Sequence, residues 1–166
     1  MKNPHSLEEI MDLYAPSLLR YAEKLVRNPH AAQDVVQQVF VRFSGLKGHK
    51  KPKAPAVKSW LYRSTHNQAV DLIRSEQRRK KLHETHVELR EHDSHNAMEA
   101  RQQQVLEQLH VLDDKERQVI LLRLQEGLSY KEISEVTGLK EGHIGYLLHQ
   151  GVRNLSTHFR QQGDSK

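Results

Sequence analysis

Hydrophobic residues recur at helical spacing along most of this sequence. In residues 13–28 they are Leu18, Leu19, Ala22, Leu25 and Val26, which follow the i, i+3, i+4, i+7 pattern of an amphipathic helix. We expect Asn28-Pro29 to end this helix, because proline lacks a backbone donor and restricts the residue before it. A second helix is predicted directly afterwards, over residues 30–46.

The second predicted helix has an apolar and a polar side. The apolar side carries Val35, Val36, Val39, Phe40 and Phe43. The polar side carries Asp34, Gln37, Gln38 and Arg42. Residues 47–55, KGHKKPKAP, then combine four lysines with a glycine and two prolines, which is typical of a solvated basic loop.

A third helix is predicted over residues 57–81. Helical spacing links its apolar residues Trp60, Leu61, Ala69, Leu72 and Ile73, and it ends in the basic run Arg78, Arg79, Lys80 and Lys81. Residues 82–104 contain few apolar and many charged residues. We interpret them as a linker that is helical in part at most.

The last third of the chain has clear helix boundaries. Asp113 with Glu116, and Ser129 with Glu132, fit capping boxes that begin two helices. Gly127 closes the first helix, and Gly138 stands where the second needs a left-handed residue. The apolar face of a final helix is predicted to be Leu139, Ile144, Leu147, Leu148 and Val152. A short helix, a turn with glycine and a longer helix make a helix-turn-helix.

These elements predict an all-α fold of two small helical domains. The domains are residues 5–81 and residues 105–162, joined by the polar linker 82–104, and the second contains the helix-turn-helix. No segment shows convincing period-two alternation, so no strand is expected. A length of 166 residues suits two such domains, each with a modest core.

Charge is unevenly distributed along the chain. Residues 1–81 hold 16 Lys and Arg against 7 Asp and Glu, residues 82–111 hold 2 against 6, and residues 112–166 hold 8 against 8. A strongly basic first half suggests a polyanionic partner, most simply nucleic acid. The chain has no cysteine, which excludes disulfides and fits a reducing cytoplasm. The sequence also predicts no signal peptide and no membrane span.

The helix-turn-helix favours DNA binding, because such a unit places its second helix in the major groove. A helical hairpin that only builds a core is the alternative. Residues 58–79 offer a different chemistry, since aromatic, amide and basic side chains together suit single-stranded DNA. The mixture consists of Lys58, Trp60, Tyr62, Arg63, Asn67, Gln68, Arg74, Arg78 and Arg79. In the alternative interpretation, Trp60 belongs to the core and the basic run is a solvated helix end.

No motif indicates catalysis, a cofactor or a metal. The chain contains neither a G-x-x-x-x-G-K-[ST] loop nor H-E-x-x-H. His83 and His86, like His92 and His95, are three residues apart, but structural zinc normally takes four ligands and cysteine is absent. We therefore predict solvated histidines and a protein that is not an enzyme.

Three segments occur in a telling order: AAQDVVQQVFVRF, then SWLYRSTHNQAVDLIR with a basic run, then, after the linker, LDDKERQVILLRLQEGLSYKEISEVTGL. This order closely resembles the small bacterial sigma factors of the extracytoplasmic-function type, over nearly all of residues 7–160. The resemblance implies two helical domains, region 2 and region 4, that bring core RNA polymerase to promoter DNA in the cytoplasm. It also allows for an anti-sigma factor as a further partner.

The resemblance assigns roles to region 2. The DVVQQVFVRF helix matches region 2.2, which binds the polymerase clamp coiled coil, so Asp34, Gln37, Gln38 and Arg42 are expected to face the polymerase. The WLYRSTHNQAVDLIR segment matches regions 2.3 and 2.4, which melt and read the −10 element. The predicted −10 residues are Lys58, Trp60, Arg63, Asn67, Gln68, Asp71, Arg74, Arg78 and Arg79. Asn67 is the best candidate for a flipped-base contact, and Asp71 contacts DNA or orients a neighbouring Arg.

Region 4 departs from the family's usual reading helix. Family members commonly carry S-x-G-T-V-K-S-R-L-x-R-A where this chain has KEGHIGYLLHQG. The packing pattern is kept but phosphate-binding charge is lost, so we expect weak upstream DNA binding, with affinity coming from region 2 and the polymerase. Gly145 and Gly151 should each destabilise this helix by roughly 1 kcal/mol against Ala.

The predicted −35 residues are Lys131, Lys140, Glu141, His143, Tyr146, His149 and Arg153. The two lysines would contact the DNA backbone, and the histidines would make polar contacts or make binding depend on pH.

Two other functions stay open. A promoter-bound regulator outside polymerase leaves residues 30–80 without a role. A sigma-like interaction protein that binds polymerase or an inhibitor without reading DNA is favoured by the charge-poor helix.

Overall fold

The computed structural model describes residues 6–82 and 107–163 of the chain. These residues contain six α-helices: α1, Leu7–Val26; α2, Pro29–Ser44; α3, Val57–Leu82; α4, Asp114–Ile120; α5, Tyr130–Thr137; and α6, Glu141–Gly163. Short 3-10 turns occupy Gly48–Lys50, Ala54–Ala56 and Gln108–Val111, and a π-helix, Leu121–Gln125, extends α4.

The helices form two compact units, of which the first contains α1 to α3 and the second contains α4, most of α5, and α6. The predicted all-α fold is therefore confirmed. Leu82, the first residue of the predicted linker, is the last residue of α3, and the rest of that linker lies outside the described residues. None of the described helices has the length and apolarity that a membrane crossing requires.

The junction between α1 and α2 is built by two adjacent residues. Arg27 adopts the left-handed conformation (φ 54°) and ends α1. The Asn28 side chain then accepts a hydrogen bond from the Ala31 N–H (3.1 Å), and Pro29 fills the first helical position, where its missing donor does no harm. The predicted break at Asn28-Pro29 is confirmed, and Asn28 also starts the next helix.

The core of the first unit takes side chains from all three helices. Its largest fully buried members are Leu18 and Tyr21 from α1, Phe43 from α2, and Leu61 and Tyr62 from α3. Tyr62 is only 2% exposed, so its inclusion among the nucleic-acid-binding side chains was wrong. Leu72 and Ile73 are half-buried.

The second unit begins with the predicted capping boxes. Asp113 accepts from the Glu116 N–H (2.8 Å) and Ser129 from the Glu132 N–H (3.2 Å), and Gly138 closes α5 with φ 75°. As predicted, Gly127 closes the first of these helices, and it adopts a left-handed conformation (φ 67°). The α-helical part of that helix stops at Ile120, and the chain widens into the π-helix.

Close approach of α6 to α4 explains Gly151. A Cβ on Gly151 would overlap the Cδ1 atom of Ile120 and would lie 3.5 Å from the Cβ of Glu116. The glycine is therefore a packing requirement, which corrects the expectation that it only weakens the helix. Val152 is 48% exposed, so its place on the buried face was also predicted wrongly.

Candidate nucleic-acid and polymerase interfaces

A single stripe of α3 collects most of the predicted −10 residues. Successive members are three or four residues apart, so they lie one above another on one face of the helix: Trp60, Arg63, Asn67, Asp71, Arg74 and Arg78. All are exposed except Trp60, which is half-buried. At about 1.5 Å per residue the stripe is roughly 27 Å long, and this length can contact several nucleotides of one strand.

The other predicted −10 residues lie off this stripe. Gln68 and Arg79 each follow a stripe residue by one position, which turns them about 100° away. Lys58 and Gln68 are half-buried, and the Gln68 Oε1 atom is fully buried without a hydrogen-bond partner in the described part of the chain. These residues were selected by side-chain chemistry and family resemblance, and their helical spacing already places them off the stripe.

Trp60 is held in place by Phe43 of α2. The two ring centroids are 5.5 Å apart with the planes at 59°, a tilted arrangement that aromatic pairs favour. Phe43 is 1% exposed, whereas Trp60 keeps part of its ring in solvent. Both interpretations of Trp60 are therefore compatible with the structure, since one part of its ring packs on the core and another part is exposed to solvent.

A buried polar pair lies directly behind the stripe. The hydroxyl of Tyr21 and the Nδ1 atom of His66 are 2.8 Å apart, and the His66 side chain is 6% exposed. Burial of the imidazole, followed by the positive charge of Arg74, lowers the pKa of His66 to about 4. Sequence reasoning missed this pair, although His66 falls among the apolar positions Tyr62 and Ala69 at helical spacing.

The polar face of α2 is exposed as predicted, since Asp34, Gln37, Gln38 and Arg42 all reach solvent. Val41 lies in the same row, 66% exposed, which the sequence analysis did not notice. Its spacing from Asp34 and Gln38 could have revealed it.

Next to this face, α1 and α2 enclose an apolar groove of about 700 Å³. Its lining includes Leu7, Met11, Leu19, Val36, Phe40 and Val41, together with Gln37 at its edge. An exposed valine beside an apolar groove is the arrangement expected at a protein-binding surface rather than a merely solvated helix face.

In the helix-turn-helix, α6 presents one face opposite its buried side. Gly142, Tyr146, His149 and Arg153 follow one another at spacings of three or four residues and are all exposed. His143 lies beside them with its ring centroid 6.3 Å from that of Tyr146. The Gln150 amide donates a hydrogen bond to the Tyr146 hydroxyl (3.3 Å).

The start of α6 carries little positive charge. Lys140 is the N-cap residue, since its carbonyl accepts from the Ile144 N–H (3.0 Å), and a lysine side chain has no acceptor with which to cap the helix. The next basic residue is Arg153, three turns further on. Lys131 and Glu141 are exposed. The exposed face of α6 therefore carries mainly aromatic, amide and imidazole side chains.

Histidine clusters do not add a metal centre in the part of the chain that the structure covers, since no group of three or more His, Asp or Glu side chains there could hold an ion. His83, His86, His92 and His95 lie outside the described residues.

Two family profiles match the chain. Sigma-70 region 2 matches residues 10–79, which hold the α3 stripe and the α2 face, and Sigma-70 region 4 matches residues 96–155, which hold the helix-turn-helix. Together they cover more than three quarters of the chain. The chain belongs to the sigma-70 family. Sigma factors bind core RNA polymerase and direct it to promoters, so this sigma factor is a promoter-directing regulatory protein whose partners are polymerase and promoter DNA.

Individual relatives agree with this assignment. This sigma factor is 22% identical over 165 residues to RNA polymerase sigma factor YlaC of Bacillus subtilis, covering 93% of this chain and 92% of that protein. It is 29% identical over 161 residues to ECF RNA polymerase sigma factor SigE of Mycolicibacterium smegmatis, covering 90% of this chain and 60% of that one. The resemblance to extracytoplasmic-function sigma factors is thereby confirmed.

A solved structure shares the fold. The sigma factor RpoE of Bartonella quintana, crystallised with the anti-sigma factor NepR, matches with a TM-score of 0.74 at 19% identity, over 92% of this chain and 96% of that one. The match supports the arrangement of helices described above.

Proposed function

We propose that this sigma factor holds the −10 element on the α3 stripe, reads the −35 element with α6 and docks on core polymerase through α2. The observation that carries the proposal is the stripe itself. Trp60 and Asn67 can stack on and hydrogen-bond to unpaired bases, while Arg63, Arg74 and Arg78 neutralise phosphates along the same line.

Within the stripe, Asn67 is our candidate for holding a flipped base, because an amide both donates to and accepts from a base edge. It stands between Arg63 and Asp71, one helical turn from each. Asp71 is four residues from Asn67 and three from Arg74, a spacing at which a carboxylate can orient the guanidinium. We assign it that positioning role rather than a direct contact with DNA, which its charge opposes.

The polymerase-binding surface in this proposal is the exposed row on α2 with the adjoining groove. Asp34, Gln38 and Arg42 supply polar contacts at the rim, and Val41 supplies the apolar contact at the centre. The groove accepts apolar side chains from a partner helix. Polymerase supplies the catalytic chemistry, so this chain needs no catalytic residue of its own.

Readout of the −35 element is proposed to be weak. His143, Tyr146, His149 and Arg153 offer polar and aromatic contacts to base edges, with Lys131 and Lys140 on the backbone and Glu141 at the helix start. Few phosphates are neutralised, so region 2 and the polymerase provide most of the affinity. We propose the boundaries 5–81 for region 2 and 105–162 for region 4, and the bacterial cytoplasm as the place of action.

The test is run-off transcription from a genomic fragment library with purified core polymerase, with and without the protein, followed by sequencing of the transcript starts. We expect new starts that share an upstream pair of motifs. Asn67→Ala should abolish them, whereas Gln77→Ala, an exposed amide on the same helix but off the stripe, should leave them unchanged. Equal effects of the two substitutions would contradict the assignment of the stripe.

A second candidate function is favoured by the absence of Arg and Lys from residues 141–152 of α6. In this alternative the chain binds polymerase or an anti-sigma factor without reading the −35 element. Shuffling the upstream motif then leaves transcription unchanged, and if no new starts appear while core polymerase still binds, the protein acts by interaction alone.

A further inference from the structure

Imidazoles stand in place of fixed cations on the exposed face of α6. Residues 141–152 contain no Lys or Arg, and their one acidic residue is Glu141. The same stretch contains His143 and His149, both exposed. Its formal charge is −1 when the imidazoles are neutral and +1 when both are protonated. The sign of the charge on this part of the helix therefore depends on two protons.

Helical spacing places both histidines at the margin of the exposed row. His149 lies in that row, in the third turn of α6 and one turn before Arg153. His143 lies beside the row, with its ring centroid 6.3 Å from that of Tyr146. When such a helix lies in the major groove, its N-terminal residues contact base edges and a phosphate backbone runs along each side. The two imidazoles are thus placed nearer to the backbone than the centre of the row is.

Both imidazoles are available to a partner. Within the described residues, neither His143 nor His149 forms a hydrogen bond or an ion pair through its side chain. His158, further along the same helix, differs, because its Nε2 atom lies 2.8 Å from the Gln108 Oε1 atom and helps to hold the chain before α4. The two exposed histidines have no such structural task.

The charged and titratable side chains of the elements around α6 do not neutralise the two histidines. Among the residues that the structure describes, none of these groups forms an ion pair with either imidazole. They are His110 before α4, then Asp113, Asp114, Lys115, Glu116, Arg117, Arg123 and Glu126 of α4, its cap and the π-helix with its end, and Tyr130, Lys131, Glu132 and Glu135 of α5. An anionic partner would supply the counter-ion that the protonated imidazoles lack.

We propose that His143 and His149 form a proton-dependent phosphate-binding site, which strengthens the contact of α6 with the DNA backbone as the pH falls below neutrality. The inference rests on the proposed function in that α6 must lie against DNA, and it names a regulation of that contact. At about pH 8 the first cation within α6 is Arg153, whereas at about pH 6 imidazolium groups precede it.

Thermodynamic linkage makes this binding and the protonation reciprocal. Phosphates stabilise the imidazolium form, so DNA binding takes up protons in the range where histidine titrates, and a lower pH raises the affinity. Each imidazolium that contacts a phosphate also displaces counter-ions from the DNA, which steepens the dependence of affinity on salt. A neutral imidazole that contacts a base edge has neither effect.

The experiment measures the affinity of the full chain for a fluorescent mixed-sequence duplex over roughly 50 to 200 mM salt, at about pH 6 and about pH 8. The test variant is His143→Gln with His149→Gln, which keeps polar side chains but cannot take up the protons. The control variant is His30→Gln with His110→Gln, since both are exposed histidines outside α6. Circular dichroism at both pH values verifies that the proteins are folded.

We expect the slope of log affinity against log salt to be steeper by about 1 to 2 at the lower pH in the unaltered chain, because each phosphate contact contributes about 0.9. The control variant should keep this difference, and the test variant should lose it. His149→Lys, which introduces a fixed charge, should steepen the slope at about pH 8 by about 1.

Three outcomes would overturn the proposal. One is a slope that does not depend on pH in the unaltered chain. Another is a pH dependence that persists in the test variant, since other histidines would then carry it. The third is an affinity that changes with pH at constant slope, since contacts with base edges would then account for the change.

The same proteins separate this proposal from the function proposed above. If the unaltered protein yields no promoter-specific starts with core polymerase but the test variant still loses the pH-dependent slope, the initiation role fails and the proton-dependent contact stands. If starts appear and the slope is the same at both pH values, the initiation role stands and the two histidines do not bind phosphates.

Discussion

Two glycines of α6 should respond in opposite ways to the same substitution. Gly145 faces open space apart from the Tyr130 ring, whose Cε2 atom would be 3.5 Å from an added Cβ, an ordinary contact. At Gly151 the added Cβ would overlap Ile120 Cδ1. Ile120 is 2% exposed, so a shift of its δ-methyl group would press on neighbouring core side chains.

The magnitudes follow from two effects. Replacing glycine by alanine inside a helix stabilises it by about 1 kcal/mol, and Gly145→Ala should gain most of this. Gly151→Ala gains the same helix propensity, but overpacking against Ile120 destabilises the fold by about 1–3 kcal/mol. We therefore expect Gly145→Ala to stabilise the second unit by up to about 1 kcal/mol, and Gly151→Ala to destabilise it by up to about 2 kcal/mol.

Native-state hydrogen exchange of peptides from residues 141–163, followed by mass spectrometry, measures this difference in the intact chain. The chain's single tryptophan, Trp60, lies in the first unit, so its unfolding transition in urea serves as an internal control that neither substitution should move. Stabilisation by Gly151→Ala equal to that by Gly145→Ala would refute the steric account of Gly151.

Three further predictions concern pH and binding. Above about pH 6.5 His66 is neutral in both the folded and the unfolded chain, but as the pH falls toward its lowered pKa of about 4 only the unfolded chain takes up a proton. The first unit should then lose about 3 kcal/mol in urea titrations followed by Trp60 fluorescence, and Tyr21→Phe with His66→Leu should remove this loss. If the double variant loses the same stability at low pH, groups other than His66 cause the loss. Val41→Asp should weaken binding to core polymerase about tenfold. The control is Leu13→Asp, since Leu13 is also exposed but lies outside the groove lining, and it should leave binding unchanged. Equal affinities of the two variants for core polymerase would exclude the groove as the binding surface. Gly145→Lys should raise upstream DNA affinity and steepen its salt slope by about 1, and an unchanged slope would show that this position does not face a phosphate.

Periodicity predicted that the helices exist, but α1 begins at Leu7, six residues before the predicted start, behind a capping box of Ser6 and Glu9 that was not predicted. The two capping boxes of the second unit followed from the spacing of their capping residues. The apolar set Val35, Val36, Val39, Phe40 and Phe43 is buried as predicted, because burial of one face is what imposes the spacing. The exposed residues of α2 followed from the same pattern. The assignment of these surfaces to polymerase and promoter DNA depended on the family resemblance, since an exposed polar face has the same pattern whether it binds a partner or only water.

The failures have a common physical cause. Tyr62 and Gly151 were misjudged because their environment is set by residues distant in the sequence, namely Tyr21 for Tyr62 and Ile120 for Gly151. The Tyr21–His66 hydrogen bond joins residues 45 positions apart, and no local pattern indicates such a pair. The basic loop, residues 47–55, could be predicted from its charge, but its proximity to Trp60 depends on Phe43 and is seen only in three dimensions.

The π-helix Leu121–Gln125 allows the second unit to accommodate a change in chain length. A π turn closes hydrogen bonds five residues apart, as from Glu126 N–H to the Leu121 carbonyl (3.1 Å), and so accommodates one residue more than an α turn. Leu124, 59% exposed, could be deleted with little loss of buried surface. The deletion would let the turn close as a regular α turn, and the following residues would keep nearly the same orientation around the axis, because the wider turn had absorbed the extra residue. A single-residue deletion here should therefore leave the orientation of the helix-turn-helix nearly unchanged, whereas the same deletion in a regular α-helix would rotate everything after it by about 100°.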